Sequence, residues 1–545
     1  MTAERVDSRG AFPGETYLHP LRGSVFLVIL AYRFLSVNQP LGRDQGIFAC
    51  VGQNMLKGWV PYRDLWDQKP PGIHFSYAFF IWLFGDSMKV VQAMDLAVYA
   101  LTAFMVYSVV REMSGVRTGT LAMLVYFFYS DPLFYGYSNG YWARSQAETY
   151  MVPFLIGGLW IFMRFLRSRK ARLAYLAGMF WGAAFLFKYT AVFYPVSALV
   201  FMWLTAFPQG RRLSRPNLCR FGRTLIILLC GFGTSLVPFV IYFAARGALG
   251  DLIEATVFYN LKYVVAATKS NGGPGTMLAQ LVKWIQRNPF IWLTGIAGGI
   301  ALAARMRENR RGVILLFYLA AAWAAIAVNR RYFHYYFIQI APPLAMLSAY
   351  VLDLGIKAMR EKRLQLLAFP ALAACVLLLA LDVQRVRRNL EPDLDFALGK
   401  TSQAEYWAGF VTGDFSFLAD MYLARYLEER TDPEDPVFIF GFEPLVYFLA
   451  DRRPASRYIY NDPITSPGLS PEAANAKIEM MVADLERSRP AYIVVVERDA
   501  NPVDPTDSYR FFRKTPVLRR FVEEGYVLDR QARKFHIYRR RETGC

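Results

Sequence analysis

Runs of about 17–22 mostly apolar residues recur along most of this chain, separated by short loops rich in Lys and Arg, and this alternation constrains the fold more than any motif. Coiled as an α-helix, each run matches the roughly 30 Å thickness of a hydrocarbon layer and satisfies its own backbone N–H and C=O groups. A hydrophobic share of 55%, with 16% aromatic residues, is too high for an ordinary soluble protein. The chain therefore reads as a polytopic α-helical membrane protein. Its net charge of +19 raises the question of nucleic acid. The cations cluster in short loops between apolar runs, however, and orientation on a bilayer accounts for them, so no nucleic-acid partner is expected. Cys50, Cys219, Cys230, Cys375 and Cys545 show no CxxC or metal-ligand spacing, so no disulfide framework is legible. Met1–Arg22 lacks a short apolar region followed by a small-residue cleavage site, and the first apolar run reads as a retained span.

The excess of Lys and Arg on one side orders about eleven spans. Arg5, Arg9 and Arg22 precede the first, near Gly23–Val37, and place the N-terminus in the cytoplasm. The rest follow near Val90–Val110, Thr118–Ser130, Ala147–Met163, Leu173–Phe187, Ala191–Phe207, Thr224–Ala244, Pro289–Ala304, Gly312–Val328, Phe337–Ile356 and Leu364–Leu381. Basic loops such as Arg164–Arg172 and Arg211–Arg223 then fall on the inner face, and the first external loop covers 38–89 and a long one 245–288. That parity decides Ile73–Gly85, which is apolar but too short to span. Counting it would invert the later basic loops, so it reads as an interfacial helix on the outer leaflet. Arg33, late in the first span, reads as snorkelling outward.

From Asp382 the composition turns charged and Pro-bearing. Val437–Phe440, Tyr458–Tyr460 and Ala491–Val496 read as strands, and Pro471–Glu486 and Ser508–Glu524 carry helical periodicity, with Ser470 as an N-cap. The expected organisation is a membrane module over 1–381 and an extracytoplasmic α/β domain over 382–545. No internal repeat is visible.

The external loops collect the residues that could carry chemistry. The first holds Asp44, Asp64, Asp67 and Lys69; the second holds Arg144, with Glu148 at the start of the next span. Lys188 sits in the tight turn between the fifth and sixth spans, and Arg331-Tyr332-Phe333-His334-Tyr335-Tyr336 follows the ninth. One acidic and one cationic–aromatic set on the same face suit a reaction with a proton to remove and an anionic group to hold. The first needs a carboxylate within reach of a hydroxyl, the second cations where phosphate charge builds up. Each residue also has a plainer reading. Asp44 suits a helix N-cap, Asp64 and Asp67 suit turns beside prolines, and Lys69 suits an interfacial cation. Arg144 and Glu148, four apart, suit a helical ion pair. Arg331 suits a headgroup anchor, and His334 a satisfied interfacial polar residue.

Asp44-Gln45-Gly46 after the first span, then Gly58-Trp59-Val60-Pro61-Tyr62-Arg63-Asp64 and Gln68-Lys69-Pro70-Pro71-Gly72, resemble the first-loop pattern of the GT-C membrane glycosyltransferases. They are most similar to bacterial relatives of protein O-mannosyltransferases and the lipid A aminoarabinose transferase. Arg144-x-x-x-Glu148, Lys188 and the Arg331–Tyr336 stretch ahead of Ala341-Pro342-Pro343 fit the same pattern, so the resemblance covers roughly 23–354. It implies sugar transfer, with inversion, from a polyprenyl-phosphate donor on the extracytoplasmic face to an envelope glycan, lipid or protein. Asp44 takes the place of the catalytic carboxylate. Lys69 and Arg331, with Lys188, would hold the donor phosphate, and Asp64, Asp67, Arg144, Glu148, His334 and Tyr335 would contact acceptor or sugar. The family often has an acid where this chain has Gln45 and Gln68, which weakens the case for a divalent cation without closing it. The alternative from another class is a transporter or flippase of lipid-linked sugars. Such proteins gather ionisable residues near the bilayer midplane and often show inverted repeats, whereas here the charges lie in external loops. A third reading makes the C-terminal region a sensor or partner-binding module on a non-catalytic membrane base.

Overall fold

The computed structural model describes residues 15–134, 138–206, 214–262, 274–329, 332–362, 364–466, 469–500 and 505–541. Its helices run α1 Glu15–Leu35, α2 Arg43–Leu56, α3 Gly72–Phe84, α4 Met88–Ser114, α5 Val116–Tyr129, α6 Ala147–Ser168, α7 Ala171–Phe185, α8 Phe193–Ala206 and α9 Arg215–Ala245. Four more apolar helices follow, Pro289–Ala304, Ile314–Ala327, Ala341–Ala358 and Gln365–Ala397. All eleven segments expected to span are helical. Among the described residues, however, only five stretches are long and apolar enough to cross a bilayer by themselves: Met88–Ser114, Ala147–Ser168, Arg215–Ala245, His334–Ala358 and Gln365–Ala397. The pair α1 and α2 adds a sixth if its 76° bend is one broken span. A helix such as Ile314–Ala327, with 14 residues, rises about 21 Å, short of the roughly 30 Å layer. Helix length thus establishes a multi-pass membrane protein but not the count of eleven.

Burial sorts these helices into centre and rim. The apolar window of α6 is 72% buried, against 17% for α9 and 11% for Gln365–Ala397. The rim helices point residues such as Ile226 and Leu366 outward, the reverse of a soluble protein and the arrangement lipid requires. Small residues let α7 and α9 approach closely. A Cβ on Gly178 would lie 2.1 Å from the Leu228 carbonyl oxygen, and one on Gly231 would lie 2.0 Å from that of Tyr175. The interfacial candidate is the helix α3. It buries Ile73, His74, Tyr77 and Ile81 while exposing Phe79, Trp82, Leu83 and Phe84.

Arg33 does not snorkel. It is buried, donates to the Phe127 carbonyl (2.8 Å) and Ser130 Oγ (3.0 Å), and lies 3.5 Å from Asp131. Facing carbonyls and a carboxylate inside the bundle compete successfully with water for this cation.

The segment after the last apolar helix contains a mixed five-stranded sheet of order β4-β3-β5-β7-β6, preceded by a small hairpin, β1 Val411–Thr412 and β2 Phe415–Ser416. Its strands are β3 Pro436–Phe440, β4 Arg453–Pro454, β5 Tyr492–Val496, β6 Tyr526–Ala532 and β7 Phe535–Arg540. β3 pairs in parallel with β4 and β5, while β7 runs antiparallel to β5 and β6. β5 is buried along its whole length, as its unbroken apolar run demands of a central strand. Ser470 caps Pro471–Ser488, its Oγ accepting from the Ala473 N–H. Three expectations change. Tyr458–Tyr460 is not a strand, because its two tyrosines and Ile459 bury as an irregular segment and β4 takes the sheet edge. Ser508–Glu524 is two helices, Ser508–Lys514 and Pro516–Gly525, broken at Pro516, whose ring has no N–H to continue the ladder. The stretch 245–288, expected as a long external loop, contains the helix Pro274–Arg287.

Candidate functional site

Four consecutive residues at the start of α2 reach four different partners. Gly42 is the N-cap and Asp44 is the second residue of the first turn, so Asp44 does not cap the helix. Arg43 is buried and gives Nη1 and Nη2 to the Asp414 carboxylate (3.1 and 2.5 Å) and Nη2 to Glu443 (2.9 Å). Burial opposes its charge, but Glu443 and Asp414 hold the guanidinium above its ordinary pKa. Lys534, from β6–β7, pairs with the same Glu443 oxygen. Gln45 donates to the Tyr141 and Arg144 carbonyls (2.7 and 2.8 Å), fastening the second external loop. Gly46 lies against Leu445, where a Cβ would come within 2.8 Å of the Leu445 backbone nitrogen. With its neighbours so occupied, Asp44 is the residue that faces open volume.

That volume is a cavity of about 420 Å³ lined by Asp44, Asp67, Lys69, Glu148, Lys188 and Tyr335, with apolar walls from Ile47, Phe187, Val257 and Leu261. Burial pushes the Asp44 carboxyl above the usual carboxylate range, against the nearby Lys69 ammonium and a hydrogen bond from Tyr335. Lys69 is opposed by burial, yet Asp44, Tyr336, Glu148 and Asp67 hold its ammonium above the ordinary lysine range. Its Nζ lies 5.7 Å from the Tyr335 ring centroid. Lys188 pairs with Glu148 and stands 3.3 Å over the Tyr336 ring. Burial and the Lys69 charge pull it down to about 8 despite Glu148. Asp67 meets His74 Nε2 at 3.1 Å and accepts from the Tyr460 hydroxyl at 2.9 Å. Burial works against its charge, but His74, Lys69 and Tyr460 together hold it below the usual range. The cavity thus combines a destabilised carboxylate with two cations of unequal firmness, beneath an apolar wall.

The other candidates lie elsewhere. Asp64 is a turn residue, accepting from the Val60 N–H (2.8 Å) and paired with Arg63 through both oxygens (2.8 Å each). Arg144 does not pair with Glu148. It is buried against Asp131 (3.2 Å), Asp95 (3.8 Å) and Gln39 Oε1 (2.8 Å), a cluster continuous with Arg33 through Asp131. His334 opens the 3-10 turn His334–Ile340 with its ring edge-on to Tyr335, and does not line the cavity. Arg331 lies outside the described residues. Among the described residues no group of three or more His, Cys, Asp or Glu side chains could hold a metal ion.

Residues unremarked in the sequence also reach the cavity. Phe442, Tyr460 and Asp462 come from the sheet-bearing segment, and Thr256 and Asn260 from the stretch after α9. Asn260 donates to the Gln68 carbonyl (2.7 Å), so it also shapes the loop that carries Lys69. No local signal announces them. Pairing of residues about 390 positions apart (Asp67 with Tyr460) leaves no trace in spacing.

Residues 68–244 match the family described as dolichyl-phosphate-mannose-protein mannosyltransferase. No curated protein matches the chain in sequence. Among solved structures, the chain is similar to ArnT from Cupriavidus metallidurans bound to undecaprenyl phosphate, at 16% identity and TM-score 0.52 over 96% of this chain and 98% of that one. It is also similar to the oligosaccharyltransferase AglB from Archaeoglobus fulgidus in complex with an inhibitory peptide and a dolichol-phosphate, at 14% identity and TM-score 0.50, covering 87% and 69%. The same archaeal enzyme tethered to an acceptor peptide containing the NVT sequon matches at 14% identity and TM-score 0.51, covering 93% and 72%. At such identities the likeness is one of fold.

Proposed function

From a chain that has the GT-C glycosyltransferase fold and matches the mannosyltransferase family over 68–244, we propose a membrane enzyme that transfers a sugar from a polyprenyl-phosphate donor to an envelope acceptor. The observation that carries this reading is the convergence of Asp44, Lys69, Glu148 and Lys188 on one cavity with an apolar wall. The donor enters sideways from the lipid, its chain along that wall and its phosphate between Lys69 and Lys188, with Arg331 as a third cation. An acceptor hydroxyl comes from the extracytoplasmic side. Its oxygen attacks the anomeric carbon, the bond from that carbon to the phosphate oxygen breaks, and configuration inverts. The proton passes to Asp44, and the polyprenyl phosphate leaves with the bonding pair.

Burial makes Asp44 a stronger base than a solvated carboxylate. The two ammonium groups stabilise charge that builds on the leaving phosphate. A polyprenyl monophosphate carries less charge than a pyrophosphate, so these cations supply much of what a metal ion would. In this reading 1–381 form the catalytic module with a cytoplasmic N-terminus, and 382–545 form an extracytoplasmic domain whose Tyr460 and Phe442 wall the acceptor side. Asp44→Asn in purified protein tests the assignment, with the acceptor identified by mass analysis of envelope lipids and glycans from cells with and without the gene. Loss of transfer with polyprenyl-phosphate binding kept supports it. Unchanged turnover removes Asp44 as the base.

A further inference from the structure

A second open groove lies on the far side of the loop that carries Lys69. It has about 440 Å³ and is lined by Trp59, Arg63, Asp64, Arg453, Arg457 and Arg487, with Asp484 at its base. Four guanidiniums face two carboxylates there, and Arg453 also bonds Glu434 (3.4 Å), so one positive charge is left over. Arg63 is fully engaged, by Asp64 and by the Arg246 carbonyl (2.8 Å). Asp484 is buried and accepts from Arg457 Nε (3.3 Å) and Arg487 Nη2 (2.6 Å), with Ser456 Oγ and the Arg457 N–H at 3.2 Å each. It fixes the base of both arginines while their other N–H groups stay available to a ligand. Arg453 lies 5.5 Å over the Trp59 ring, which lines the groove beside the cations.

The groove and the cavity share their walls. Asp64 lines the groove and Asp67 the cavity; Arg457 lines the groove and Tyr460 the cavity. Three residues of chain span at most about 11 Å, so two separate segments hold the sites within the length of a short oligosaccharide. The Trp66 N–H bonds the Arg457 carbonyl (2.8 Å), locking those segments to each other.

We propose that this groove binds an acidic saccharide portion of the acceptor, its phosphate or carboxylate held by Arg457 and Arg487. The inference rests on the glycosyltransferase reading and narrows its acceptor to an anionic glycan. Guanidinium forks match planar carboxylates and phosphates.

Binding is measured by calorimetry on the full-length protein in neutral detergent, with trigalacturonate, mannose 6-phosphate and maltotriose as probes. One of the two anions binds at least ten-fold more tightly than maltotriose, and which one does so tells carboxylate from phosphate. Arg457→Gln with Arg487→Gln removes that margin, whereas Arg513→Gln with Lys514→Gln, on the helix Ser508–Lys514, leaves it. Equal binding of maltotriose, or equal loss in both double variants, overturns the proposal. Asp44→Asn keeps anion binding. If Asp44→Asn still transfers sugar while the arginine pair abolishes anion binding, the base assignment falls and the groove stands.

Discussion

The cavity around Asp44 and the cluster around Arg144 both set carboxylates against cations inside the protein, yet they differ in one respect. In the cavity, Asp44, Lys69 and Lys188 border about 420 Å³ of open volume. In the cluster, Arg33, Asp95, Asp131 and Arg144 are all nearly inaccessible and meet only one another and neighbouring polar groups. Closed ionic clusters hold geometry, because desolvation of each charge is offset only while its partner stays in place. Open ones leave charge for a ligand. The second loop ties the two together, since Gln45, next to Asp44, bonds the Arg144 carbonyl.

The contrast breaks most sharply at Asp44. Asp44→Asn is expected to slow transfer by roughly 100- to 10,000-fold with an unchanged melting temperature, read by product formation and by thermal scanning on one preparation. Arg144→Met is expected to do the opposite. It leaves Asp95 without its cation and Asp131 with Arg33 alone, and lowers stability by about 3–5 kcal/mol, seen as a lower melting temperature, while the protein that stays folded keeps its KM and pH profile. A variant that loses turnover without losing stability would move Arg144 into the cavity's class.

Smaller effects grade the two cations of the cavity. Lys69→Met removes a charge-assisted contact worth about 1.5–3 kcal/mol, expected as a ten-fold or greater loss of undecaprenyl-phosphate affinity by calorimetry. Lys188 gives the mildest signal, a pH dependence. Burial and Lys69 bring it down to about 8, so it holds a proton below that value and loses it above. Donor-phosphate affinity should therefore fall by up to about ten-fold from pH 7 to 9, a window in which the phosphate itself is already fully ionised. Lys69, held above the ordinary lysine range, keeps its charge there. Lys188→Met should flatten the profile; a slope that survives it assigns the titration to another group.

Much of this was readable before any coordinates. Apolar period and loop charge located the helices, and the residues Asp44, Asp67, Lys69, Glu148, Lys188 and Tyr335 were all named from the loops that bring them to one cavity. Asp64, Arg144 and His334 were named on the same grounds and stand elsewhere, because a charge in an external loop looks alike whether it faces a void or a partner. Asp131 and Asp95, which hold Arg144, lie 13 and 49 positions away in segments read as loop and span. The hairpin β6–β7 went unread because each strand turns from apolar to charged part-way and β6 is largely exposed, a weaker pattern than the buried run of β5.

Local chemistry was enough for what depends on a few consecutive residues: the placing of the apolar helices, the Ser470 cap, and the Asp44 carboxylate and Lys69 that share the first loop. Only the tertiary structure decided which charges face empty space, that Tyr460 and Phe442 close the cavity from the far end of the chain, and that four arginines line a second groove. Those outcomes depend on contacts between segments hundreds of residues apart, whose energies no spacing along the sequence encodes.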